Sequence, residues 1–111
     1  MSEEVFLVLS TFPDVETARR ISRQLVEEHC AACANLLPQV ESIYWWEEKV
    51  ESAPETLVLF KTSADHYEAL EATLRRLHPY EVPEIIAFPL AAGLPEYLEW
   101  VAKSCGGQPR N

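Results

Sequence analysis

The chain has 111 residues, 48% hydrophobic and 24% charged, the size and make-up of one globular domain and too short for two. Eighteen acidic residues against nine basic ones give a formal net charge of −9, so a nucleic-acid backbone would be repelled. Three cysteines and the acidic start Met1-Ser2-Glu3-Glu4 argue against a disulfide-framed secreted scaffold and a secretory leader; the expectation is a cytoplasmic protein.

Residues 5–9 (VFLVL) form a short apolar run, partly β-branched, of the length of a strand buried on both faces. Pro13-Asp14 breaks it, and Asp14 is placed to cap a helix whose apolar stripe is Ala18, Ile21, Leu25 and Val26. Residues 35–43 read as a strand interrupted at Pro38 and continued by Tyr44-Trp45-Trp46. The polar break Glu47-Glu48-Lys49 turns it into a hairpin that leads back to a buried strand at 57–60, with an edge or bulge at Ala53-Pro54. Ser63 can cap a second helix with the stripe Tyr67, Leu70, Leu74, Leu77, and His78-Pro79 ends it. Residues 85–88 read as a third buried strand closed by Pro89, and 96–102 as a short last helix. The domain is expected over 1–103, with 104–111 a flexible tail.

This β-α-β-β-α-β order with a C-terminal helix is the split-βαβ pattern of an α+β, ferredoxin-like sandwich. Both helices then cover one face of the sheet. Strands apolar on both faces leave the other face for a second subunit to cover.

His29-Cys30-Ala31-Ala32-Cys33 contains a Cys-x-x-Cys. A redox pair wants its attacking thiol at a helix N-terminus. Cys30 falls at the end of the first helix, beside Glu27 and Glu28, where dipole and charge both oppose a thiolate. One Cys-x-x-Cys also falls short of a four-ligand zinc site. Cys30 therefore reads as a small core residue at a helix-to-strand junction. The segment LHPYEVPEI (77–85) sets His78, Tyr80 and Glu84 on a stiff, proline-bracketed connection. Imidazole and carboxylate suit Cu(II) or Zn(II); the plainer reading of the residues is that His78 caps the helix carbonyls and Tyr80 packs. Tyr44-Trp45-Trp46 must alternate faces in a strand, so at least one large ring faces away from its own core, as interfaces favour. Lys61 closes an apolar strand and either snorkels or pairs with a carboxylate such as Glu55 or Glu84.

AACANLLP (31–38), SIYWW (42–46), Glu55, KTS (61–63), HPYEVPEI (78–85) and EYLEW (96–100), in this order and over nearly the whole chain, resemble the CutA family of divalent-cation tolerance proteins. The resemblance implies a ferredoxin-like subunit in a tight homotrimer, similar in shape to the nitrogen-regulatory PII proteins. It implies an association with copper and other divalent cations, with Cys33 and His78 as metal-ligand candidates. Tyr44, Trp46, Glu55, Lys61, Tyr80 and Glu84 match positions lining the inter-subunit cleft. The chain departs from some bacterial members at Ser10 and Leu77, where they carry a cysteine and a second histidine, and at Glu48, where a hairpin glycine is common. The expected function is divalent-metal binding in cation tolerance. The alternative is a PII-like sensor or adaptor that takes a small anionic ligand in the cleft and reports to a protein partner. No nucleophile or oxyanion-hole motif accompanies His78 and Glu84, so enzymatic activity is not expected.

Overall fold

The computed structural model describes residues 4–106. Strand β1 (Val5–Phe12) leads into helix α1 (Val15–Glu27), then the long strands β2 (Cys33–Trp46) and β3 (Lys49–Ser63). A single 3-10 turn enters α2 (Tyr67–Leu77), followed by the short β4 (Ile86–Pro89) and α3 (Pro95–Gly106). The strands make one antiparallel sheet in the order β2-β3-β1-β4. This is the expected ferredoxin-like architecture. The expected tail begins too early: α3 runs to Gly106 and Cys105 is buried in it, because its sulfur packs on Val5, Ala32 and Val101. Residues 107–111 lie outside the described residues.

Alternation along the strands sorts the core. Val8 and Phe12 in β1, with Val58 and Phe60 in β3, face the helices and are fully buried. They meet Ala18, Ile21 and Leu25 of α1 and Leu70 and Leu74 of α2. Leu7, Leu9, Leu57 and Leu59 point the other way and are only half-buried. The expectation of strands buried on both faces is thus met on one face within a single chain. Strand β4 corrects it further: Ile86 and Phe88, on the face of Leu7 and Leu9, are 44% and 48% exposed.

Local chemistry explains the joints. The Asp14 carboxylate accepts the Thr17 N–H at 2.7 Å and starts α1. That bond is the main cause holding the Asp14 carboxyl below its usual range. At the other end His29 takes the left-handed conformation, φ 64°. The Cys30 N–H reaches Leu25 O at 2.9 Å and the His29 N–H reaches Val26 O at 3.0 Å, which is the Schellman closure. Cys30 therefore turns inward against the helix it has just left and joins the core. The expected irregularity in the hairpin lies not at Pro54 but opposite it, between Leu37 and Val40 of β2, where Gln39 has φ 66°. Pro54 sits where β3 has already left β1, whose last partner is Thr56, so its missing N–H faces an open edge.

Candidate functional site

The proline-bracketed segment after α2 builds the tighter of two polar clusters. His78 is 7% exposed and stacks on Phe12 at 4.6 Å. The Tyr80 N–H donates to His78 Nδ1 at 3.1 Å, and His78 Nε2 lies 2.8 Å from the Thr11 carbonyl. An amide N–H only donates and a carbonyl only accepts, so the ring is neutral with its proton on Nε2. Burial is the main cause depressing the His78 pKa; the Thr11 carbonyl and the Glu55 charge oppose it. Metal binding at His78 would require it to release one of these two partners. The Tyr80 hydroxyl donates to Glu55 at 2.6 Å. Burial first, then this bond, pushes the phenol far above its ordinary value, so Tyr80 is a fixed donor. Tyr44 and Asp14 are near enough to add to that shift. Glu84 is exposed.

The second cluster lies at the far end of the sheet. Cys33 stands directly across from Lys61, half-exposed, with its sulfur 3.6 Å from the Tyr97 hydroxyl. Burial first, then the Cys33 contact, pushes the Tyr97 phenol up to about 12. The Lys61 ammonium donates to the Asn35 side-chain carbonyl, so of the two expected arrangements the carboxylate pair with Glu55 or Glu84 is not the one formed. Strand geometry brings an amide to it: Asn35 is two residues beyond Cys33 on the same face. Cys30 and Cys33 diverge, the first toward Thr73 and the second toward Tyr97, and all three cysteines are free. Burial raises the Cys30 pKa first, with Glu28 adding to it. Asn35 and Tyr97 are the members that sequence reasoning missed. Asn35 was readable from the two-residue strand period; Tyr97 arrives only through the docking of α3.

Tyr44, Trp45 and Trp46 lie on the distal hairpin and are 42%, 74% and 60% exposed. All three rings, more than the alternation required, thus lack a core of their own. Among the described residues no group of three or more His, Cys, Asp or Glu side chains converges. One chain therefore holds two separate polar corners, one of thiol, ammonium and amide and one of imidazole, phenol and carboxylate, with a half-exposed apolar face between them.

Fold and corners together define an α+β protein of the ferredoxin-like class with an open sheet face and polar groups at its two ends. The sequence profile described as CutA1 divalent ion tolerance protein matches residues 6–104. The divalent-cation tolerance protein CutA of Thermus thermophilus is 45% identical over 104 residues, 94% of this chain and 99% of that one. Protein CutA of Mus musculus is 46% identical over 91 residues, 82% of this chain but about half, 51%, of the mouse protein. Among solved structures, CutA from Xylella fastidiosa superposes with a TM-score of 0.89 at 46% identity, covering 91% of this chain and 97% of that chain. CutA1 from Oryza sativa gives 0.92 at 36% identity, covering 96% and 98%. The chain belongs to the CutA1 divalent ion tolerance family. The relatives from Thermus thermophilus and Thermococcus kodakarensis are named for tolerance of divalent cations.

Proposed function

We propose that the chain works as a homotrimer that binds divalent metal ions, Cu(II) or Zn(II), in the clefts where copies meet. The observation that carries this is the uncovered sheet face. Leu37, Ile86 and Phe88 are 40%, 44% and 48% exposed on it, and the half-buried leucines 7, 9, 57 and 59 lie between them. So much contiguous apolar surface on a small chain marks an interface. Closing it brings together corners that one chain keeps apart. Cys33 supplies the accessible sulfur, a ligand type that suits Zn(II). His78 joins by giving up Tyr80 or Thr11, and the exposed Glu84 assists. The test is metal analysis of protein purified without chelator or affinity tag, with its solution mass, followed by Zn(II) titration of wild type and Cys33→Ser. A trimer that binds metal in proportion to its subunits, and loses it in Cys33→Ser, is expected. A well-folded monomer at micromolar concentration, or unchanged affinity in the variant, overturns the proposal.

One observation favours a second reading, the PII-like sensor. Lys61 places a positive charge on the open face of an otherwise acidic chain, held by Asn35 and not by a carboxylate. An anionic ligand in the cleft would meet it there. A thermal-shift screen against nucleotides and carboxylate metabolites tests this, and a silent screen counts against it.

A further inference from the structure

On the helix side of the sheet a groove of about 380 Å³ runs between α1 and the edge strand β2, with Ala32 and Cys33 at the entry to that strand on its rim. That volume is in the range of small-molecule sites. Its wall is one stripe of α1, Arg19, Ser22, Arg23 and Val26, at the i, i+3, i+4, i+7 spacing of a single helix face. Its floor is Ala34 and Leu36, the helix-facing residues of β2. Two features of this groove are unexplained by the packing of the described residues. Ser22 is 3% exposed, lines the groove, and its hydroxyl has no hydrogen-bond partner among the described residues. A buried hydroxyl left unpaired costs stability. Arg19 and Arg23 stand exposed on the rim, and neither makes an ion pair with another described residue, in a chain with twice as many acids as bases. Glu27, one turn beyond Arg23, closes the far end of the same wall.

We propose that this groove binds a small monocarboxylate with an apolar body. The two guanidinium groups hold the carboxylate by charge-assisted hydrogen bonds. The Ser22 hydroxyl, with no partner of its own, donates to the same group, and Val26, Ala34 and Leu36 cover the hydrocarbon. Glu27 sits where the far end of the ligand would emerge, so a second negative charge there is repelled. The site selects one carboxylate, not two. This assignment does not rest on the metal or sensor readings, although the groove shares Cys33 with the thiol corner.

The test uses the full chain with octanoate and with suberate, its dicarboxylate counterpart. Calorimetric titration is paired with amide chemical-shift mapping. Octanoate is expected to bind with shifts concentrated on α1 and the first residues of β2, and suberate more weakly. The surface variant Arg19→Gln/Arg23→Gln weakens octanoate by about tenfold or more, and Ser22→Ala weakens it with the arginines intact. Absence of octanoate binding overturns the proposal. So do equal affinity in the double-arginine variant, suberate binding as tightly as octanoate, and shifts centred on the open face around Lys61. The last of these would instead favour the sensor reading.

Discussion

Replacing His78 by alanine tests whether this histidine first of all holds the structure. The substitution removes a ring that is 7% exposed, orphans the Thr11 carbonyl and the Tyr80 N–H, and leaves a void against Phe12. The void and lost burial cost about 2 kcal/mol for a ring smaller than phenylalanine. Each orphaned backbone group adds about 1 kcal/mol. The expected loss is therefore about 4 kcal/mol, read by urea unfolding at one fixed protein concentration, since association feeds into apparent stability. A pH series gives an independent arm. The folded pKa of His78 is depressed, so the unfolded chain takes up this proton more readily than the folded one. The stabilisation is fully present above the ordinary histidine value of about 6.5 and is lost as pH falls through the depressed one. Wild type should lose more stability than His78→Gln on going from about pH 7.5 to about pH 5. An alanine variant within about 1 kcal/mol of wild type, or identical pH slopes in wild type and His78→Gln, refutes the reasoning. Loss of metal binding in His78→Ala alone would not identify a ligand, because the loop carrying Tyr80 and Glu84 would be disturbed with it.

Glu47 and Glu48 both hold left-handed φ, 49° and 68°, at the hairpin turn. A left-handed non-glycine residue costs about 1–2 kcal/mol and glycine loses about 0.5–1 kcal/mol of chain entropy, so Glu48→Gly should raise stability by about 0.5–1 kcal/mol; a lower thermal midpoint would contradict this. Tyr80→Phe removes the donor to Glu55 and should cost about 1 kcal/mol, small because the pair is partly exposed, with chemical unfolding as the readout. Trp45→Glu and Trp46→Glu change rings that are 74% and 60% exposed in one chain; sedimentation velocity should show smaller assemblies of folded protein, and an unchanged mass would remove these rings from the interface. Mixing Cys33→Ser with His78→Gln subunits should restore metal binding in hybrid assemblies if the two groups act across a contact, and no restoration places the ligands within one chain or elsewhere.

The elements whose signals are local were readable in the sequence. The Asp14 cap, the stripes of α1 and α2, and the stop at His78-Pro79 all depend on neighbours within a few residues. The joints were harder because the usual marker is absent. His29, Gln39, Glu47 and Glu48 adopt left-handed φ where glycine would have announced a turn, so Pro54 marks the edge and nothing in the sequence marks the bulge at Gln39. The partners of the site residues were harder still. For Lys61 the sequence leaves snorkelling or a carboxylate pair open, but register decides its neighbour: Asn35 lies two residues along the strand opposite, and Glu55 is six residues away on the same strand. Tyr97 reaches Cys33 only because Val101 and Cys105 anchor α3 on Val5 and Ala32, a contact with no sequence period.

The same register limits what one chain can do. Cys33 lies in the row of Lys61 and Leu7, and the His78 ring is bonded at Thr11, four residues further along β1 and two strands across. At about 3.4 Å per residue and about 4.8 Å per strand, those anchor points are separated by about 17 Å. A metal–sulfur bond is about 2.3 Å and a metal–imidazole bond about 2.1 Å, so no single ion spans them, and no rotamer change closes such a gap. Trp46 is further still, at the far end of the fourteen-residue β2. Cys33 and Lys61 on one side, and His78, Tyr80 and Glu55 on the other, are therefore grouped by contact between copies or not at all. The half-exposed Leu7, Leu9, Leu57 and Leu59 that separate the corners supply the apolar area to drive that contact.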